Sequence, residues 1–315
     1  MMASAAGRID VMMCVDDRYA LPLAVTLASL EQSTADDGEV VVHVFHSGLS
    51  SDEMTRVAAP LKKLELRWYR IDAASVDGAH YPPWISPATL FRLHLGELLP
   101  AGIGRVLYLD ADVVVRRPLD DAFAAPLDDG ALLAAVRDGG CPWAARNRFP
   151  CWQELGMEPD TPYFNAGLLV IDVERWKSER VGERCLEILR TTQPYFADQD
   201  ALNAVVAGRW HELLRRWNLQ TVDVRGGEAW ALWPEETSAA VADPAVVHYT
   251  ESDKPWQPLT GHPLKDYWIE AVRYTDWSDW TPPPGRSGSP LVNRVLSAAR
   301  RLRAQRDARL SRQEW

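Results

Sequence analysis

Two carboxylates one residue apart, Asp110 and Asp112, follow the apolar run Arg105-Val-Leu-Tyr-Leu and precede Val113-Val-Val115. Strand side chains alternate between faces, so in an extended chain both carboxylates project the same way. Ionised groups are costly in a buried strand unless they are paired or bind a metal. Two hard oxygen ligands at a strand's carboxyl end suit Mg²⁺ or Mn²⁺, and such a cation in turn suits a diphosphate. The chain holds 44 acidic residues, so the spacing also arises by chance, and Asp198-Gln-Asp200 repeats it. His248 closes a later β-type run and precedes a loop bearing Lys254. An imidazole added to two carboxylates favours Mn²⁺ over Mg²⁺. Lys254 would then offset diphosphate charge as a flexible point cation, or stand as a solvated loop lysine.

The elements that must position these residues alternate between strand and helix. Ile9 to Val15 reads as a buried strand ending at Asp16, and Leu21 to Leu30 has helical spacing. Val40 to Phe45 and Leu64 to Ile71 are further strands. Ser50-Ser-Asp-Glu53 has the capping-box pattern, so a helix starts there. Ser86 with Pro87 predicts a capped helix running from Ala88 to Leu98. Leu132 to Val136 and Tyr163 to Asp172 are strands, the latter interrupted by Asn165 and Gly167; glycine inside a strand marks a close approach. Glu174 to Arg190 and Asp198 to Val206 are helical, and Val246 to Tyr249 is a late strand. The alternation predicts an α/β domain with a mainly parallel sheet. Ligands in such sheets sit at the carboxyl ends of strands, where Asp16, Asp110 and Asp138 all fall.

The 315-residue chain can bury a full core as one large domain with additions, or as two. A net charge of −10 argues against a general nucleic-acid binder. The amino terminus lacks a long apolar stretch, and no apolar run is long enough to cross a membrane, so neither a secretory signal nor a transmembrane helix is expected. Cys14 and Cys185 read as small core residues, while Cys141 and Cys151 flank a loop and could meet. A reducing, cytoplasmic setting is expected.

These motifs together resemble the family 8 retaining glycosyltransferases, in particular the bacterial lipopolysaccharide α-glycosyltransferases of the galactosyltransferase type. The matching elements stand in family order over roughly residues 8 to 260: Cys14-Val-Asp-Asp-Arg-Tyr19, Ser86 to Gly96, the Leu-Tyr-Leu-Asp110-Ala-Asp112 strand, Tyr163-Phe-Asn-Ala-Gly167, Phe196-Ala-Asp-Gln-Asp200, and His248 to Trp256. The resemblance implies a GT-A fold, a UDP-hexose donor (galactose or glucose), a saccharide or lipid-linked glycan acceptor, and Mn²⁺, with Mg²⁺ as an alternative. It implies that Asp110, Asp112 and His248 hold the metal, and that Asp16 and Tyr19 contact uridine. It implies that Arg92, Asp138, Asn165 and Asp198 hold the donor sugar, that Gln199 lies beneath the anomeric carbon, and that Lys254 clamps the diphosphate.

Two departures stand out. Arg18 occupies a position where the family often has Asn, and Glu251 replaces a Gly that lets a backbone N–H approach phosphate. A Glu there is unfavourable beside a diphosphate unless its side chain turns away. Retention suggests a carboxylate nucleophile, but the nearest group is the Gln199 amide, a poor one. Front-face attack with Gln199 lending its carbonyl dipole is the favoured mechanism, and Asp198 is the alternative nucleophile. A nucleotidyltransferase would want a basic, Gly-rich loop after the first strand, where this chain is acidic. A catalytically silent nucleotide-sugar-binding protein is the other alternative.

The segment Gly139 to Trp152, with Trp143, Phe149, Trp152, Arg146 and Arg148, suits a sugar-stacking acceptor site or a loop packed by its own aromatics. Residues 1–280 are expected to form the GT-A domain, 281–290 a Pro/Gly/Ser linker, and 291–315 a basic amphipathic tail. That tail is compatible with peripheral contact to the inner face of a membrane, or with a solvated terminus.

Overall fold

The structure, a computed structural model, describes residues 7–128, 130–146 and 152–282. Phe149, Arg148, Cys151, most of the linker and the tail lie outside the described residues, as does the side chain of Arg146.

Ten strands are described: β1 (Ile9–Val15), β2 (Val40–His46), β3 (Leu64–Arg70), β4 (Arg105–Leu109), β5 (Val113–Val115), β6 (Leu133–Arg137), β7 (Phe164–Asp172), β8 (Trp210–Glu212), β9 (Leu219–Gln220) and β10 (Val246–His248). Seven form a central sheet in the order β3-β2-β1-β4-β7-β6-β8, and β5-β10-β9 form a small second sheet. Four pairings of the central sheet are parallel. The two flanking β7 are antiparallel. The mainly parallel α/β architecture is therefore as expected.

Strand β1 is buried along its whole length, as a strand covered on both faces must be. Its residues divide by parity: Val11, Met13 and Val15 join an apolar layer with Leu23 and Leu27. Met12 and Cys14 join the opposite layer with Phe91, Val181 and Cys185. Among the described residues, no helix is long and apolar enough to cross a membrane.

Because β7 runs against β4 and β6, its amino end meets their carboxyl ends. Asp16, Asp110, Asp138 and Asn165 consequently gather at one edge of the sheet. The small sheet brings the last partner, since His248 pairs with Val113 on one side and Gln220 on the other.

Three expectations are corrected. The Asp110–Asp112 segment is not one continued strand: β4 stops at Leu109, the chain bends, and β5 starts in the other sheet. A bend, not strand alternation, brings the two carboxylates together. The helix expected from Ala88 to Leu98 is a 3₁₀ helix over Pro87–His94 followed by one α-turn, Leu95–Leu98, although Ser86 and Pro87 start it as expected. The helix expected over Glu174 to Arg190 is two, Val173–Ser178 and Val181–Thr191, separated by Arg180 at φ 53°. The break lets Gly182 press against the Leu93 carbonyl, where a built Cβ would lie only 1.8 Å from that oxygen.

Candidate active site

The bend after β4 is held on both sides. The Asp110 N–H donates to the Gly167 carbonyl at 2.9 Å, and the Tyr249 N–H donates to the Asp112 carbonyl at 3.1 Å. The carboxylates then converge on His248: its Nε2 lies 3.6 Å from Asp110 Oδ2 and 3.3 Å from Asp112 Oδ1. One ligand atom from each of the three lies within 4.8 Å of the others. The other ring nitrogen, Nδ1, is 2.8 Å from Asn218 Oδ1. A carboxamide oxygen only accepts, so Nδ1 carries a proton and Nε2 is the ring nitrogen that faces the carboxylates. Gly167 is required here, since a Cβ would sit 2.0 Å from His248 Cε1 and 3.0 Å from Asp110 Oδ2.

Buried Arg92 organises the floor. It donates to Asp110 Oδ1 at 2.8 Å and to the Ala166 carbonyl at 2.6 Å. It pairs with Asp198 Oδ2 at 3.1 Å and lies over the Tyr108 ring at 4.0 Å. Tyr108 adds a hydroxyl donor to Asp110 at 2.8 Å. Burial pushes the Asp198 carboxyl up to about 6, with the Arg92 charge opposing the rise. Burial would also raise Asp112, but the Lys254 ammonium and His248 outweigh it and hold that carboxyl well below the usual range. Lys254 Nζ donates to Asp112 Oδ2 at 2.6 Å and to the Tyr249 carbonyl.

Asp138, Asn165 and Gln199 form a neighbouring cluster. Asp138 Oδ1 closes its own turn by accepting from Gly140 and Cys141 N–H at 2.9 and 2.8 Å. Its Oδ2 faces Asn165 Nδ2 and Gln199 Nε2, each at 3.3 Å. Gln199 Oε1 accepts from the Ala166 N–H at 3.0 Å, which sets the orientation of its amide. Asp200, the other half of the second D-x-D, is structural: it accepts from the Tyr163 hydroxyl at 2.6 Å and the Phe196 N–H at 2.8 Å.

At the outer rim, Asp16 Oδ2 accepts from Ser86 at 2.7 Å and from Arg18 Nη2 at 2.6 Å. Tyr19 stands edge-on to Trp256, with ring centroids 5.9 Å apart. Thus Arg18, the first departure, braces Asp16. The second departure is also accounted for: the Glu251 carboxylate turns to Arg225, which also donates to Asp253 at 2.8 Å. In the candidate acceptor segment, Trp143 packs on Trp233 at 5.8 Å, with the Arg137 guanidinium over both rings.

All eleven residues named from the sequence for metal, donor and chemistry lie along this one edge. Sequence reasoning missed Tyr108, Asn218 and Gln220. The last two flank Leu219 as buried polar residues at alternate positions, the same pattern that singled out Asp110 and Asp112.

Known proteins resemble this chain over most of its length. The chain is similar to general stress protein A of Bacillus subtilis (strain 168), 26% identical over 297 residues, covering 90% of this chain and 98% of that protein. It is similar to lipopolysaccharide 1,3-galactosyltransferase of Salmonella typhimurium, 23% identical over 286 residues, covering 87% and 81%. Among solved structures, an active-site mutant of LgtC superposes with a TM-score of 0.74 at 27% identity, covering 85% of this chain and 96% of that one. The fold is the GT-A fold of such glycosyltransferases. With residues 10–260 matching the profile of glycosyl transferase family 8, the chain belongs to that family.

Proposed function

We propose that this protein is a retaining hexosyltransferase that moves galactose or glucose from a UDP-sugar onto a saccharide or lipid-linked glycan. The observation that carries the reading is the convergence of Asp110, Asp112 and His248 within 4.8 Å, beside a cluster of sugar-compatible polar groups. Similarity to a lipopolysaccharide 1,3-galactosyltransferase supports a hexose donor and a glycan acceptor.

Two carboxylates and an imidazole presenting Nε2 fit Mn²⁺, with Mg²⁺ as an alternative. When bound, the cation would supply positive charge opposite the departing diphosphate. Lys254, already at Asp112, adds a second cation there. Asp16 and Tyr19 hold uridine. Asp138 and Asn165 hold the donor sugar, backed by the buried Arg92–Asp198 pair. Asp198 is only 2% exposed and ion-paired, which leaves it poorly placed as a nucleophile. The acceptor hydroxyl therefore attacks the anomeric carbon on the face from which UDP leaves. The bond from that carbon to the diphosphate breaks, and the hydroxyl proton passes to the diphosphate oxygen. Gln199 steadies the positive charge on the sugar ring.

The test is a panel of UDP-hexoses assayed for Mn²⁺-dependent hydrolysis, which needs no acceptor. Wild type turns over at least one of them. Asp112→Ala loses both UDP binding and turnover, because the diphosphate charge is then uncompensated. Equal binding and turnover by Asp112→Ala would remove the metal assignment.

A further inference from the structure

Asp138 needs support to act, because it follows the end of β6 and precedes two glycines. The Asp138 N–H donates to the Tyr163 carbonyl at 3.0 Å, and one side chain holds the turn from the other side. Gln220 Nε2 donates to the Arg137 carbonyl at 3.1 Å, and Gln220 Oε1 accepts from the Gly139 N–H at 2.9 Å. One carboxamide thus brackets the residue between them on both its peptide bonds. Gln220 is 1% exposed, and it has little freedom to turn.

The bracket is itself anchored. The Gln220 N–H donates to Asp223 Oδ2 at 3.0 Å, and Arg215 joins Asp223 Oδ1 at 3.1 Å. Asp223 also dictates the glycine in the turn, since a Cβ at position 139 would lie 2.2 Å from its Oδ1. Through the main chain, the same Gln220 pairs in register with His248.

We propose that Gln220 is a positioning residue that sets the angle of the Asp138 carboxylate and so controls engagement of the donor sugar, separately from binding of the nucleotide. The inference rests on the reading of Asp138 as a donor-sugar contact. With Oδ1 spent on the local turn, only Oδ2 is available to a sugar hydroxyl. Its direction depends on the two peptide planes flanking Asp138, which Gln220 grips on both sides and Tyr163 and Arg215 hold on one. The β9–β10 pairing uses backbone groups, so substitution of the side chain leaves His248 in place.

The experiment compares wild type, Gln220→Asn, whose amide is too short to span both peptides, and Gln220→Glu, which still accepts from Gly139 but no longer donates to Arg137. UDP affinity in Mn²⁺ and hydrolysis of the preferred UDP-hexose are measured on each full-length protein, with amide hydrogen exchange at Gly139–Cys141. Gln220→Asn is expected to hold UDP affinity within about twofold while donor turnover falls about a hundredfold, the scale of a small misplacement at a reacting centre. Gln220→Glu should fall between, and exchange at Gly139 should quicken in both. Unchanged turnover with unchanged exchange overturns the proposal. So does a parallel loss of UDP affinity and turnover, which would mark a general structural role. If wild type hydrolyses no UDP-hexose, the proposed function fails, while the exchange rates still decide whether Gln220 holds the turn.

Discussion

Gln199 and Asp198 are neighbours with opposite surroundings, and the difference bears on the proposed mechanism. Asp198 is buried against Arg92, so freeing its carboxylate for bond formation would leave that guanidinium unpaired. Gln199 is partly exposed, its oxygen on the Ala166 N–H and its nitrogen toward Asp138. An amide that works through its dipole can be removed at a cost of a few kcal/mol, whereas a covalent nucleophile cannot. Gln199→Ala should therefore transfer about a hundredfold more slowly yet at a measurable rate. Rapid-quench kinetics with mass spectrometry of the protein checks this. Abolished transfer together with a glycosyl adduct on Asp198 would overturn front-face attack.

At the scale of elements, the sequence told most where one local rule governs. The capping box of Ser50 and Glu53 forms as expected, both halves being present. β1 spans Ile9–Val15 with Asp16 directly after it, and the helix Asp198–Val206 keeps its expected limits. Local rules failed where distant packing intervenes. Nothing near Arg180 predicts its break, which serves the contact of Gly182 with Leu93. The bend at Asp110–Asp112 depends on β5 finding β10, more than a hundred residues later in the chain. Asn218 and Gln220 were missed because their partners His248, Asn165 and the Asp138 turn lie far from them in the chain.

The loop after β10 also has an element-scale consequence. Burial, then the nearby Arg225 charge, pushes the His262 imidazole down to about 4. Its Nε2 lies 3.0 Å from the Thr221 hydroxyl and its Nδ1 accepts from the Leu264 N–H, an arrangement that wants the neutral ring. A depressed folded-state value means that this contribution is present above the ordinary His range and is lost as pH falls toward 4. Asp198 and Asp223, both pushed up to about 6, act oppositely, their contribution being lost as pH rises through that value. The His262 share is therefore read as a difference from His262→Gln. Between pH 6.5 and 4, wild type should lose about 3 kcal/mol more unfolding free energy than the variant. Parallel urea-denaturation curves across that range would refute it.

The whole chain joins an acidic α/β body to a basic end, and we propose that residues 291–315 hold the protein to anionic membrane. Trp280 packs on Trp268 at 4.9 Å, close to where the Pro/Gly/Ser segment starts. The tail arginines would each gain on the order of 1 kcal/mol at an anionic surface, an attraction that salt weakens. A chain truncated after Pro282 should keep donor hydrolysis and lose sedimentation with anionic liposomes. Retained sedimentation would place the attachment elsewhere. A larger consequence lies in the bend that carries the chain from one sheet to the other. Asp110 closes the seven-stranded sheet, whereas Asp112 opens the small sheet that holds His248. A divalent ion gripped by all three would then crosslink the two sheets, and mass action would make it a folding ligand as well. At a hundred times its Kd it should add about 2.7 kcal/mol to the stability of the fold. Calorimetry should show the melting temperature climbing with Mn²⁺, falling back with EDTA, and indifferent to both in Asp112→Ala. A wild-type melting temperature blind to Mn²⁺ would mean that the two sheets are held together without it.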